Sequence, residues 1–279
     1  MTAIQTPSTI AFIGGGNMAS ALIGGLLRAG RAPQDLLVID PGDAQRARLA
    51  AVFGVPTLAA ADGGLARAGT VVWAVKPQFF SVAAAPCMPW VGAALHLSVM
   101  AGIRCDAIGR ALGLAPGSAR IVRSMPNTPA LIGRGIAGLF AMPAVTADQR
   151  GQIEQVLAAT GQTLWVEREA DLDAVTAVSG SGPAYFFYVV EAMVAAAVQM
   201  GLSPEQGRRL ALATCDGAAA LAARSDQPVS VLREQVTSKG GATHAALQSL
   251  QADGVGAAFV KALWAAQRRA GELGDEFGA

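Results

Sequence analysis

Residues 10–19 read Ile10-Ala11-Phe12-Ile13-Gly14-Gly15-Gly16-Asn17-Met18-Ala19. Four apolar residues run into a Gly-x-Gly-x-x-Ala turn, and the residues beyond it have helical spacing. In that strand–turn–helix setting such a turn binds the pyrophosphate of a dinucleotide. Gly14 permits the tight turn, Gly16 lets phosphate approach the backbone, and the small Ala19 allows close helix–strand packing. The start of the helix then presents N–H groups to the phosphates. A packing turn without a ligand has the same pattern. The chain holds 33 glycines in 279 residues, so the turn needs support from its surroundings.

That support comes from the residues downstream. Short runs rich in Val, Ile and Leu predict strands at 9–13, 36–39, 70–75, 94–99 and 120–123, with helices at 17–29, 44–53, 79–85 and 104–112 between them. Runs this apolar suit strands covered on both faces. The alternation predicts an α/β fold built on a doubly wound parallel sheet. Runs at 136–141 and 163–166, with a helix at 147–159, would extend it. From Glu169 onward no strand is predicted, only helices at 184–200, 204–224, 229–236, 242–252 and 255–273. Ser203-Pro204 is a helix start, with Ser as N-cap and Pro in the first helical position. Gly201 suits the end of the helix before it. The charged segment 167–171 marks the boundary between a dinucleotide-binding domain, 1–166, and an all-α domain, 167–279. Val190, Met193, Val194 and Val198 spread over more than one helix face, which predicts packing against a second copy.

Hydrophobic residues make up 52% and charged residues 15% of the chain, against about 25% charged in ordinary soluble domains. With a positive mean hydropathy, this excludes a mostly disordered chain. It leaves a membrane protein or one that buries much surface in an oligomer. The best candidate span, 183–201, has Glu191 at its centre and lacks basic flanks, so a helix buried at a subunit interface is the better reading. The stretch 86–103 is broken by Pro89 and contains His96. With 21 basic and 20 acidic residues there is no electrostatic footprint for nucleic acid. Cys87, Cys105 and Cys215 are widely spaced and read as free thiols in a reducing compartment, the cytoplasm. His96 and His244 are too few for a His-rich metal site, and Met1 to Ser8 lack the basic region of a signal peptide.

Further candidates fall at predicted strand ends, where open α/β sheets bind ligands. Asp40 lies 24 positions after Gly16. An acid there binds the adenosine ribose hydroxyls and disfavours a 2′-phosphate. Arg46 and Arg48 are either partners for such a phosphate or solvated helix residues. Ala74-Val75-Lys76-Pro77 ends another strand. The chain has 18 Arg but only three Lys, which singles out Lys76 as a place for a compact ammonium. Segments 98–102 and 124–129 could line a nicotinamide pocket. The Asn127 amide could bind a carboxamide or the substrate, or simply form the turn. In the helical half, 179–185 reads as a Gly/Ser turn feeding the longest helix. In Thr237-Ser238-Lys239-Gly240-Gly241-Ala242-Thr243-His244 a Gly pair precedes a helix, so several N–H groups can converge on a carboxylate. Thr243 adds a hydroxyl, and His244 is either an acid/base group or a helix-surface residue. No Gly-x-Ser-x-Gly, His-Glu-x-x-His or P-loop motif occurs, which leaves nicotinamide chemistry as the reactive element.

The segments IGGGNMA (13–19), AVKP (74–77), SVMAG (98–102), MPNTP (125–129), AVSGSGPAY (177–185) and TSKGGATHAAL (237–247), taken in this order, resemble the pyrroline-5-carboxylate reductases over nearly the whole chain. The first is generic to dinucleotide folds; the last three are specific. The resemblance implies a Rossmann-type domain followed by a helical domain that dimerises. It implies an oxidoreductase that reduces the C=N bond of L-1-pyrroline-5-carboxylate to L-proline with NADPH or NADH, as the last step of proline biosynthesis. Cofactor contacts would fall to Gly14, Gly15, Gly16, Asn17, Met18, Ala74, Val75, Lys76 and Pro77, with Ala101 and Gly102 near the nicotinamide. Ser238, Gly240, Gly241, Ala242 and Thr243 would hold the substrate, with Asn127 added to them on the reading of its own amide. Thr243 would be catalytic, its hydroxyl hydrogen-bonding the ring nitrogen and helping deliver its proton. Metal, membrane and nucleic acid have no part in this reading, whose partner is a second copy of the chain. Asp40 departs from the many relatives that carry a neutral residue there and prefer NADPH, so the resemblance leaves the choice between NADP(H) and NAD(H) open.

Other readings share features with this one. A β-hydroxyacid dehydrogenase or an imine reductase has the same two-domain plan. The former uses a Lys followed by Asn on a helix, and neither Lys239 nor Lys261 has Asn within four positions. A non-catalytic NAD(P)-binding protein would keep the turn at 14–19 but need not keep the loop at 238–243.

Overall fold

The strands β1 (Thr9–Ile13), β2 (Leu36–Ile39), β3 (Thr57–Leu58), β4 (Ala68–Trp73), β5 (Leu95–Ser98), β6 (Ile121–Met125), β7 (Gly135–Ala141) and β8 (Gly161–Trp165) form one sheet. Its order is β3-β2-β1-β4-β5-β6-β7-β8. This is a computed structural model describing residues 9–278; Met1 to Ser8, read above as lacking a signal peptide, lie outside the described residues. Helices α1 (Asn17–Arg28), α2 (Asp43–Phe53), α3 (Phe80–Ala84), α4 (Met88–Val91), α5 (Cys105–Ala111) and α6 (Ala147–Leu157) alternate with the strands.

The apolar runs are explained by what covers them. Side chains alternate across a strand. Ile10 and Phe12 join Leu22, Ile23 and Leu49 in one buried cluster. Ala11 and Ile13 join Val71, Trp73, Phe80 and Ile108 in another. Both faces are covered, so no position of β1 past its first residue is free to be polar. Each fully buried large side chain contributes about 1.5–3 kcal/mol.

Two features depart from the expected parallel sheet. β7 runs antiparallel to β6, making the sheet mixed. The connection 126–134 explains this, because a parallel crossover needs roughly a dozen residues or more. β3 is only two residues long, too short to leave a periodic signal.

The described chain forms two compact units, one running up to Ser181 and resuming at Ala266, the other spanning Gly182–Ala265. Between β8 and the second unit lies α7 (Asp171–Val175), then a π-helical turn at Thr176–Gly180, then α8 (Gly182–Gln199). The glycine- and serine-rich segment is therefore helical and not the turn expected from its composition. The Thr176 and Ser179 hydroxyls donate back to the Leu172 and Val175 carbonyls at 2.8 and 2.9 Å, and Ser181 N–H donates to the Thr176 carbonyl at 2.8 Å. Polar side chains that bond within their own turn do not break it.

The second unit contains α8, α9 (Pro204–Ala223), α10 (Val229–Gln235), α11 (Ala242–Ala252) and the start of α12 (Val255–Gly278). Ser203 caps α9 as expected, with Gln206 closing a capping box. Gly207 lets α9 approach α8, since a Cβ there would lie 3.0 Å from that of Ala197. Tyr185 and Phe259 meet edge to face at 5.7 Å. Large apolar side chains nonetheless stay uncovered within the chain: Phe186 is 63%, Tyr188 74% and Trp264 58% exposed. The helical run Asp171–Gln199 is long and apolar enough to cross a membrane by length and composition.

Candidate active site

The chain order reverses direction between β1 and β4, and a crevice opens there at the carboxyl ends of the strands. Backbone bonds close the sheet at that point. Gly14 N–H donates to the Ile39 carbonyl and Ala74 N–H to the Ile13 carbonyl, each at 2.8 Å. Gly14 has φ +93°, and a Cβ on it would lie 2.7 Å from the Ala74 carbonyl oxygen. The turn therefore exists only with glycine at this position. Gly16 differs: a Cβ on it would meet nothing within 4 Å, so its face opens outward. Gly16 is also the N-cap of α1, with no side chain capping the helix and no acid in its first turn. Unpartnered N–H groups and the positive end of the helix dipole are left for an anion.

Gly14, Gly15, Gly16, Asp40, Ala74, Val75 and Lys76 line a single cavity of about 490 Å³. That volume suits a substantial part of a dinucleotide. Asn17 and Met18 form the first turn of α1, Asn17 exposed and Met18 half-buried, while Pro77 opens a short 3-10 turn. Ala101 and Gly102 lie in the loop after β5. The residues present thus fit a nicotinamide dinucleotide: an open glycine face, an uncapped helix start and an acid at the end of β2.

Asp40 is held firmly. One carboxylate oxygen accepts from Gly15 N–H and the other from Gly42 N–H, each at 2.8 Å. Gln45 donates to the Gly15 carbonyl, so both backbone polar groups of Gly15 are tied to α2 and its approach. Arg46 donates to the Asp40 carbonyl at 2.8 Å and pairs with Asp43. Arg48 donates to Ser20 Oγ at 2.9 Å.

The second set of expected site residues lies in the other compact unit. Ser238 and Gly240 are exposed, Gly241 is half-buried, and the Gly241 N–H donates to the Ser238 carbonyl at 3.0 Å. Gly241 is the N-cap of α11, again with no side-chain cap and no acid in the first turn. Ala242 and Thr243 are exposed in that turn and His244 is half-buried. By helix geometry the first N–H groups of α11 have no partner inside the helix. An uncapped helix start with a threonine in its first turn is chemically able to receive an anion.

Residues 169–273 match the family model described as pyrroline-5-carboxylate reductase dimerisation, and residues 9–102 match one described as NADP oxidoreductase, coenzyme F420-dependent. A pyrroline-5-carboxylate reductase of Pseudomonas aeruginosa is 44% identical over 99% of this chain and 100% of its own. The chain belongs to the pyrroline-5-carboxylate reductase family. Among solved structures, a pyrroline-5-carboxylate reductase from Coxiella burnetii is 37% identical, covering 96% of this chain and 99% of that one at a TM-score of 0.89. A Plasmodium falciparum pyrroline carboxylate reductase with NADP bound is 27% identical, covering 96% and 98% at a TM-score of 0.84.

For a reductase of this family, the structure adds residues that the sequence alone did not single out, and gives others their partners. Phe79, Val82, Ala83 and Cys87 form an apolar wall of the cavity. Burial pushes the Cys87 thiol up to about 11, which disfavours its thiolate. Gln45 and the Asp40–Gly15 bond span 30 and 25 positions in sequence, which no local pattern reports. Asn127 has both ends of its amide engaged: Nδ2 donates to the Ser179 carbonyl at 3.1 Å and Oδ1 accepts from Ile136 N–H at 3.0 Å. It ties the π-helical turn to the start of β7. His96 is fully buried on β5, and its Nδ1 accepts from Trp73 Nε1 at 3.2 Å. Burial, with a contribution from the Arg120 charge, lowers its pKa to about 4. Among the described residues no cluster of three or more His, Cys, Asp or Glu is placed to hold a metal.

Proposed function

We propose that the chain reduces the C=N bond of L-1-pyrroline-5-carboxylate to give L-proline, the last step of proline biosynthesis. The observation that carries this is the presence of two uncapped helix starts, α1 behind Gly14–Gly16 and α11 behind Gly240–Gly241, in a member of this family. A bound reduced nicotinamide supplies the hydride. Gly14 to Met18 hold the pyrophosphate, Ala74 to Pro77 flank it, and Ala101 and Gly102 face the nicotinamide end. Ser238, Gly240, Gly241, Ala242 and Thr243 hold the substrate carboxylate on backbone N–H groups. The Thr243 hydroxyl hydrogen-bonds the ring nitrogen and helps place its proton, because a protonated imine carbon accepts hydride more readily. Asn127 acts by fixing the π-helical turn, and its bonded amide supports this positioning role over direct contact with substrate.

In this reading residues 1–166 bind the cofactor, and residues 167–279 bind substrate and pair with a second copy. The uncovered aromatic side chains of α8 support such pairing. The buried free thiols Cys87 and Cys105 suit a reducing cytoplasm. NADH is the preferred cofactor. Asp40 presents a carboxylate where a 2′-phosphate would sit, and Arg46 and Arg48 are engaged elsewhere. The deciding experiment follows oxidation of NADH and of NADPH with pyrroline-5-carboxylate supplied. NADH should be the better cofactor, with Asp40→Asn narrowing the gap. Thr243→Ala should lower turnover while NADH affinity holds. Oxidation of neither cofactor would overturn the reading, and faster use of NADPH by the unaltered chain would overturn the cofactor choice alone.

A further inference from the structure

The loop between β5 and α5 is gripped from two sides. It bends at Gly102, where φ is +78° and a Cβ would lie 3.1 Å from Phe277 Cδ2 and 3.4 Å from the Leu273 carbonyl oxygen. At the next contact the roles reverse. A Cβ on Gly274 would lie 3.1 Å from Arg104 Nε, and Arg104 pairs with Asp275 at 2.7 Å. Phe277 is half-buried and packs on the cluster that holds Met100 and Ile103, the apolar residues on either side of the bend. On the other side Glu169 Oε1 accepts from Cys105 N–H and from Arg123, each at 2.7 Å. Two glycines therefore stand where the last turn of α12 and the loop come closest, one on each partner. Contacts this close leave the loop little room to shift while that turn is in place.

We propose that the last turn of α12, Leu273 to Phe277, positions the loop Ala101–Arg104 and through it the nicotinamide end of the cofactor. This rests on the reading that sets Ala101 and Gly102 beside the nicotinamide. Phe277 and Asp275 act through the loop and do not touch the cofactor. The Arg104–Asp275 pair is largely solvated, 41% and 73% exposed, so it contributes little to stability. The packing of Phe277 carries most of the effect. Phe277 is not among the residues that line the cavity at Gly14–Gly16 and Asp40, so in this proposal the adenosine end of the cofactor is held independently.

The test compares Phe277→Ala, Phe277→Leu, Asp275→Asn and a chain ending after Leu273. ADP-ribose and NADH affinity and kcat are measured on each, with circular dichroism to confirm folding. Phe277→Ala should lower kcat about 10- to 100-fold, the scale of misplacing a reactant by an ångström or less. ADP-ribose affinity should be unchanged and Phe277→Leu should recover most of the rate. An unchanged kcat in folded Phe277→Ala would overturn the proposal, as would a parallel loss of ADP-ribose binding. If the truncated chain does not fold, the three point variants decide. Ala101→Val separates this from the underlying reading, because it should weaken NADH while sparing ADP-ribose. If it weakens neither, the nicotinamide reading fails. If it weakens NADH alone while Phe277→Ala is silent, only the positioning role fails.

Discussion

Alanine placed at Gly14 and at Gly16 should produce two different losses, although the glycines are two residues apart. At Gly14 the backbone is at φ +93°, where a side chain costs roughly 1–2 kcal/mol. The new methyl would also sit 2.7 Å from the Ala74 carbonyl oxygen, a backbone atom that cannot rotate away. Overpacking of this kind adds about 1–3 kcal/mol. Gly14→Ala should therefore cost about 2–5 kcal/mol of folding stability. At Gly16 the φ is −65° and nothing lies within 4 Å. Alanine is a poorer N-cap than glycine, but it also restricts the unfolded chain, and the two effects, each about 0.5–1 kcal/mol, oppose. Gly16→Ala should leave stability within about 1 kcal/mol, yet its methyl occupies the face left open for phosphate. Losing one close backbone approach should weaken NADH by tenfold or more, about 1.4 kcal/mol. Urea denaturation reads the first loss and NADH titration the second. If Gly16→Ala binds NADH as well as the unaltered chain, the pyrophosphate does not lie on that face and the cofactor site is misplaced.

Three further outcomes follow from the buried polar groups. His96 has a folded pKa of about 4 against 6.5 unfolded, so below pH 6.5 the unfolded chain takes up a proton that the folded chain refuses. The contribution of His96 should be constant above pH 6.5, fall by about 3 kcal/mol between pH 6.5 and 4, and level off below; the difference in urea denaturation between the unaltered chain and His96→Gln checks it. Glu169→Ala leaves Arg123, 8% exposed, without its carboxylate partner, and should cost about 2–4 kcal/mol in thermal or urea unfolding, while Arg123→Met in the same chain recovers part of it. Asn127→Ala removes both ties between the π-helical turn and β7, and should lower Tm by several degrees, consistent with about 1–2 kcal/mol for two bonds.

What was legible in the sequence was whatever repeats locally. The strand–turn–helix at 10–19 announced the sheet because a strand covered on both faces must be apolar at nearly every position. The capping box at Ser203 and Gln206 was legible for the same reason: its partners are three residues apart. The direction of β7 was not, since it depends on the length of the connection 126–134 and not on the strand's own residues. The segment around Ser179 and Gly180 misled because its composition is that of a turn, whereas its hydroxyls bond inside the helix. At the site, residue types suggested roles for Asp40 and Asn127 but not their partners. Asn127 is joined to Ser179, 52 positions away, and only the folded chain brings them together.

Asp40 links the choice of cofactor to the shape of the turn that holds it. Its carboxylate is both the proposed partner of the ribose and the acceptor for the buried Gly15 N–H. A short neutral residue at position 40 would remove the charge that disfavours a 2′-phosphate, but it would leave that N–H without an acceptor, at about 1–3 kcal/mol. Asparagine keeps an oxygen for Gly15 but loses the charge and the acceptor for the exposed Gly42 N–H, so it relaxes selectivity without adding attraction for phosphate. Attraction would have to come from Arg46 or Arg48, and both are bonded: Arg46 to Asp43 and the Asp40 carbonyl, Arg48 to Ser20. Freeing Arg46 by changing Asp43 leaves its bond to the Asp40 carbonyl in place. Freeing Arg48 by changing Ser20 removes an exposed hydroxyl contact and the long 3.5 Å bond from Ser20 Oγ to the Gly15 carbonyl. Ser20→Ala with Asp40→Asn is therefore the pair that should move preference toward NADPH, with the Gly15 carbonyl still held by Gln45. Asp40→Asn alone should produce an enzyme that uses both cofactors with similar, modest efficiency.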